Sequence, residues 1–148
     1  MARYQASVET QRSVEEVFAY LSDFSTTAQW DPGIERAEKL TPGRIEPGTK
    51  FRVTSKTMGR ELAFVYRVIE YDAPHSICLI GESGGIVSRD RMEFEPTGPG
   101  TRVTYDAEVS LKGILKLGEP LLRLGFKRVG DRALDGLKRK LASPGALA

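Results

Sequence analysis

One cysteine, Cys78, in 148 residues leaves the chain without an intrachain disulfide. That suits a reducing compartment, and the cytoplasm is the expected location. Histidine is as scarce: His75 stands alone. One Cys and one His cannot complete a zinc site, and no carboxylate cluster argues for another metal. His75 would also have to serve every Ser-His-acid scheme, and it sits in an expected turn after Pro74, a surface position more than a catalytic one. No stretch approaches the roughly 20 apolar residues of a membrane span, and residues 1–4 open no signal-like apolar run. Charge of one sign is not in excess either. Twenty-two basic against 20 acidic residues give +2, which offers no reason to expect a nucleic-acid partner. Gly84-Gly85 and Gly98-Pro99-Gly100 lie between strand-like runs and open no helix, so they read as hairpin turns and not as a nucleotide fingerprint.

What is present is an ordinary globular composition, 40% hydrophobic and 28% charged, sized for one domain over residues 1–148. The small, breaker-rich tail from about 142 to 148 is expected to fray. Residues 4–10 alternate, with Tyr4, Ala6 and Val8 on one side, and predict a strand. Ser13 with Glu16 forms a capping-box pattern ahead of Val14, Val17, Phe18 and Leu21, which predicts a helix over 13–22. A second short helix over 23–30 is capped by Asp23 or Ser25 and stopped by Asp31-Pro32-Gly33. Six strand-like runs follow, at 34–40, 49–58, 60–71, 76–82, 86–95 and 101–111. Their connections are too short for parallel crossovers, so they should pair antiparallel.

From about 113 to 141 the period becomes helical. Leu122, Phe126, Val129, Ala133, Leu137 and Leu141 form an apolar stripe, widened at its start by Leu117, Leu121 and Leu124. Pro120 either kinks this helix or marks its true beginning. The expected fold is therefore α+β: a curved seven-stranded antiparallel sheet wrapped on one long C-terminal helix, with two short helices after the first strand. The helix is also basic, with nine Lys or Arg against three acids over 112–141. Such helices bind anionic membranes, but with the stripe already taken by the sheet a solvated face is the expectation here.

Strand parity nominates the side chains that face the interior. Over 86–95 the more apolar face carries Ile86, Ser88, Asp90, Met92 and Phe94, which puts a carboxylate inward at mid-strand. A buried Asp90 needs a partner or a raised pKa. It is either a hydrogen-bonded structural acid or a catalytic one. Tyr105 shares a face with Val103, Ala107 and Val109; Phe64 and Tyr66 share one with Leu62 and Val68, although Val65, Ile69 and Tyr71 make parity ambiguous there. Phe51, Phe64, Tyr66, Ser88, Asp90, Met92 and Tyr105 would wall an apolar cavity, with Leu122 and Phe126 facing them from the helix. The same residues also describe an ordinary core. Cys78, mid-strand, reads as a small buried hydrophobe.

The residues SVEEVFAYLSDF (13–24), WDPG (30–33), YRVIEYDAP (66–74) and GDRALDGLK (130–138) resemble the SRPBCC superfamily. This is the helix-grip group of START lipid-transfer domains, birch-pollen-allergen-like proteins and polyketide cyclases/dehydrases. The resemblance spans about residues 4–141 and is strongest to the small cyclase/dehydrase-like members common in bacteria. It implies that an apolar ligand (a lipid, a polyketide or another hydrophobic metabolite) binds in an internal cavity with no cofactor. The alternative it implies is aldol cyclisation and dehydration, with Asp90, Tyr66 and Tyr105 moving protons. It also implies that Trp30 plugs the core or else sits near the cavity mouth, where Tyr20 would line the same opening. Monomer and homodimer both stay open. An Asp90 beside a tyrosine with a raised pKa favours catalysis; an Asp90 tied to an arginine favours binding.

Overall fold

Short connections leave consecutive strands little choice but to pair as neighbours, and the fold follows. The computed structural model describes residues 1–57 and 59–147. Met58, at the end of an expected strand, and Ala148 lie outside the described residues. The strands are β1 (Ala2–Thr10), β2 (Ile34–Lys39), β3 (Lys50–Thr57), β4 (Arg60–Asp72), β5 (Ser76–Ser83), β6 (Ile86–Thr97) and β7 (Gly100–Leu111). They form one antiparallel sheet in the order β1-β7-β6-β5-β4-β3-β2. Only β1 leaves sequence order, because the helices inserted after it carry the chain to the far edge. The sheet curls around the helix α3 (Glu119–Ala142), which gives the helix-grip fold.

Between β1 and β2 lie α1 (Val14–Leu21), a 3-10 turn (Phe24–Thr26) and α2 (Thr27–Trp30). Ser13 caps α1 by accepting from the Glu16 N–H at 3.2 Å. The expected reciprocal half of the capping box is not made, because the Glu16 carboxylate turns to Arg12 at 2.6 Å. Asp23 caps the 3-10 turn through the Ser25 N–H at 3.0 Å.

These helices fill one end of the concave face. Phe18 meets Phe94 edge-on at 5.0 Å between ring centroids, and Phe24 meets Tyr66 at 5.3 Å and Phe51 at 6.2 Å. Buried aromatics of this kind stabilise the fold by about 1.5–3 kcal/mol each. The ambiguous parity of β4 has a structural cause. A register shift between Val68 and Glu70 exchanges the two faces, so Phe64, Tyr66 and Val68 point inward before it and Tyr71 packs on Phe18 after it.

Helix α3 spans the other end. Its packed positions are Leu134, Leu137 and Leu141 with Gly130 and Gly136. Pro120 marks its true beginning, and residues 113–118 form a separate 3-10 segment (Gly113–Gly118). The expected widening of the stripe does not occur. Leu117, Leu121 and Leu124 stand 83%, 75% and 81% exposed, because the sheet touches only the opposite side of the helix. In the tail, Leu147 is buried in the core cluster, and Arg12 donates to the carbonyls of Leu141 and Ser143.

Candidate functional site

Alternation along β6 sends Ser88, Asp90 and Met92 to the concave face and Arg89 and Arg91 to the outer one. There the arginines pair with Glu108 at 3.5 Å and Glu70 at 2.8 Å. Asp90 is thereby separated from the nearest cations in sequence. Among the described residues no Lys or Arg forms a salt bridge with it.

Its partners are hydroxyls. Ser88 Oγ donates to Asp90 Oδ1 at 2.7 Å, and the Tyr105 hydroxyl donates to Oδ2. The β6–β7 register explains the second bond. Ala107 lies opposite Asp90 and Tyr105 opposite Met92, so the tyrosine reaches the carboxylate on the diagonal, over the space a small residue leaves. Tyr66 approaches from β4. Gly81 on β5 is opposite both Tyr66 and Ser88. A Cβ there would come within 2.6 Å of the Tyr66 ring, so only glycine lets that ring lie across β5 towards Asp90. Ser88 and Asp90 both act on the Tyr66 hydroxyl.

Burial dominates the electrostatics. Removing a carboxylate from water costs several kcal/mol. Each hydroxyl bond to the charged form returns about 1.5–3 kcal/mol. The balance raises the Asp90 pKa: burial pushes it up, while Tyr105, Ser88 and Tyr66 pull against the rise. The Tyr66 and Tyr105 hydroxyls are held well above the usual phenol range, by burial first and by the Asp90 charge second.

A second acid completes the site. Asp31 ends α2, and its Oδ1 accepts from the Gly33 N–H at 2.8 Å. Burial and, to a lesser degree, Asp90 push its carboxyl up to about 6. The corner is fixed by Gly136 of α3, where a Cβ would fall 1.9 Å from the Trp30 carbonyl oxygen. Trp30 itself is buried edge-on to Tyr105, at 6.4 Å between centroids, and among the described residues its indole N–H has no hydrogen-bond partner.

These residues surround a cavity of about 180 Å³. Tyr66, Ser88, Asp90 and Tyr105 form its polar floor, Trp30 and Asp31 one wall, and Phe126, Val129, Ala133 and Leu134 of α3 its apolar roof. Phe64 and Phe126 are only half-buried and Val129 is 53% exposed, so the cavity meets solvent on this side. A larger depression, about 710 Å³, is a surface groove between the Thr97–Gly100 turn and the tail, away from these acids.

Seven of the residues nominated from sequence line the cavity together: Trp30, Phe64, Tyr66, Ser88, Asp90, Tyr105 and Phe126. Four do not. Tyr20 is buried beneath Lys140, with its hydroxyl donating to Gln29 Oε1 at 2.8 Å. Phe51 packs on Phe24, and Met92 is wholly buried in the filled end. Leu122 lies one turn ahead of Phe126 and stops short of the cavity. Sequence reasoning missed Asp31, whose role as a helix stop hid its second position beside Trp30. It also missed Tyr4, although alternation placed that residue inward on β1. His75 is exposed and Cys78 buried, both away from the cavity. Among the described residues no three of His, Cys, Asp and Glu gather to hold a metal.

The family model described as "Polyketide cyclase / dehydrase and lipid transport" matches residues 1–142. No curated protein matches the chain. Among solved structures, a START superfamily protein from Mycobacterium smegmatis is 18% identical, with a TM-score of 0.78 over 95% of this chain and 97% of that one. The Zhui aromatase/cyclase from Streptomyces sp. R1128 is 14% identical, with a TM-score of 0.74 over 94% and 90%. A STAR-related lipid transfer protein from Xanthomonas axonopodis is 16% identical, with a TM-score of 0.70 over 95% and 86%.

Proposed function

We propose, for a chain that belongs to the polyketide cyclase/dehydrase and lipid transport family, that the cavity binds one compact, mainly apolar molecule carrying an oxygen function. The observation that carries this reading is a hollow with an apolar roof and a hydroxyl-lined acid at its floor. Few polar points in an apolar wall give a ligand its orientation. The volume of about 180 Å³ is below the roughly 300–1,000 Å³ of drug-sized pockets. It suits a ring-sized ligand and excludes a diacyl lipid unless α3 moves.

A second reading, acid–base catalysis of the cyclisation or dehydration type, is favoured by one observation. Asp90 is bound by tyrosine and serine hydroxyls and not by an arginine. A buried acid with a raised pKa is a better proton donor than an ordinary carboxylate and can still take a proton back. Asp90 would exchange the proton, with Tyr105 and Tyr66 stabilising charge on a substrate oxygen.

The test uses 2-naphthol as a fluorescent probe and Ala107→Trp to fill the hollow. Saturable one-to-one uptake by the natural protein, lost in the variant, is expected. Uptake that is absent, or untouched by Ala107→Trp, defeats the binding reading. With a β-hydroxy ketone as substrate, Asp90→Asn should lower kcat by about 100-fold or more while KM changes little. Equal turnover by the two proteins defeats the catalytic reading alone.

A further inference from the structure

Helix α3 begins with apolar residues on two opposite faces. Phe126 and Ala133 lie on the side turned to the sheet, and Leu122 continues the same helical repeat one turn earlier. Leu121 and Leu124 fall on the other side, at 75% and 81% exposed. The preceding 3-10 segment adds Ile114 and Leu117, each 83% exposed. Four large aliphatic side chains in eleven residues are thus largely exposed, and exposed apolar surface gathered in one segment is a mark of interaction sites.

The charges around that patch decide what fits it. Residues 112–128 contain Lys112, Lys116, Arg123, Lys127 and Arg128 against one acid, Glu119. The Glu119 carboxylate is engaged, accepting from the Leu111 N–H at 3.4 Å. Lys112 and Lys127 make exposed pairs with Glu82 at 4.0 Å and Asp131 at 2.9 Å. Such pairs contribute little and exchange readily. Arg123 is engaged, donating to the Met1 carbonyl at 3.1 Å, and among the described residues no carboxylate pairs with Lys116 or Arg128. Arg128 follows Leu121 and Leu124 on the same helical face. A second copy docked on this face would set cations against cations. A surface of anionic headgroups over hydrocarbon complements both features at once.

We propose that the 3-10 segment (Gly113–Gly118) and the first turns of α3 dock on anionic membrane surfaces, with Ile114, Leu117, Leu121 and Leu124 entering the acyl boundary and Lys116 and Arg128 meeting lipid phosphates. No helix is long and apolar enough to cross a membrane, so the segment lies in the interface. The cavity roof begins at Phe126 on the same helix, so docking brings the mouth of the cavity to the bilayer. This goes beyond the ligand reading and stands without it.

Flotation with vesicles tests the proposal, comparing phosphatidylcholine alone with phosphatidylcholine containing phosphatidylglycerol. Binding to the anionic vesicles only, weakened by added salt, is expected. Lys116→Gln with Arg128→Gln should weaken partitioning by about 30-fold. Leu121→Gln with Leu124→Gln should weaken it by about tenfold or more, with the melting temperature kept, since neither leucine is packed. Asp90→Asn should float as the natural protein does, which separates this result from the cavity's chemistry. Equal behaviour towards both vesicle types overturns the proposal. So does a dimer in lipid-free solution that the leucine variant converts to monomer.

Discussion

Asp31 and Asp90 face one cavity from different elements, and burial first and the charge of Asp90 after it push the Asp31 carboxyl above its usual range. The first comes from the corner after α2, the second from the middle of β6. Two buried acids near each other resist sharing two negative charges, and environments that separate acids in this way are a mark of proton-handling sites.

The pair makes stability depend on pH through Asp31. Its folded pKa of about 6 lies above the usual carboxylate value. The folded chain therefore keeps a proton that the unfolded chain releases, and stability falls as pH rises from about 4 to about 6. Asp31→Asn keeps an oxygen for the Gly33 N–H and removes the titration. It should be more stable than the natural protein above pH 6, by about 2–3 kcal/mol, with the gain vanishing below about pH 4. Urea melts across that range measure it. A gain that does not vary with pH would contradict the assignment.

Tyr105 works against burial at Asp90, because its hydroxyl stabilises the ionised carboxylate. Tyr105→Phe should move the Asp90 pKa further up. The carboxyl signal of labelled aspartate, followed by carbon NMR during titration, gives the direction. A downward shift would mean that the tyrosine prefers the neutral acid.

Gly81 should behave as a site residue without any chemistry of its own. Gly81→Ala drives a methyl into the Tyr66 ring, and a destabilisation of about 1–3 kcal/mol is expected. Tyr66→Ala in the same chain should relieve about 0.5–3 kcal/mol of that cost. Strictly additive effects in the double-mutant cycle would show that the ring does not occupy the gap.

Much of this was legible in the sequence. Asp90 was found because period-two alternation over 86–95 left one carboxylate among Ile86, Met92 and Phe94. Trp30, Tyr66 and Tyr105 followed from the same parity and from the family resemblance. Alternation could not say how far along the concave face the helical plug reaches. Phe51 and Met92 have the right parity and the wrong depth: Phe24 packs on Phe51, and Met92 shares the filled end. The exchange of faces in β4 depends on hydrogen-bond register, which no side-chain pattern records. Leu121 and Leu124 misled for a different reason. A helical repeat marks what is apolar, and it does not mark what is covered.

The pairing of β1 with β7 places Ala2 opposite Val109. A ribosome adds about 5–20 residues per second. The N-terminal strand therefore waits several seconds for its neighbour to be synthesised, and β2 to β6 emerge in the interval. The meander can assemble in order behind it, but the first edge closes only once β7 has emerged. Until then its apolar side chains are the segment a chaperone would find.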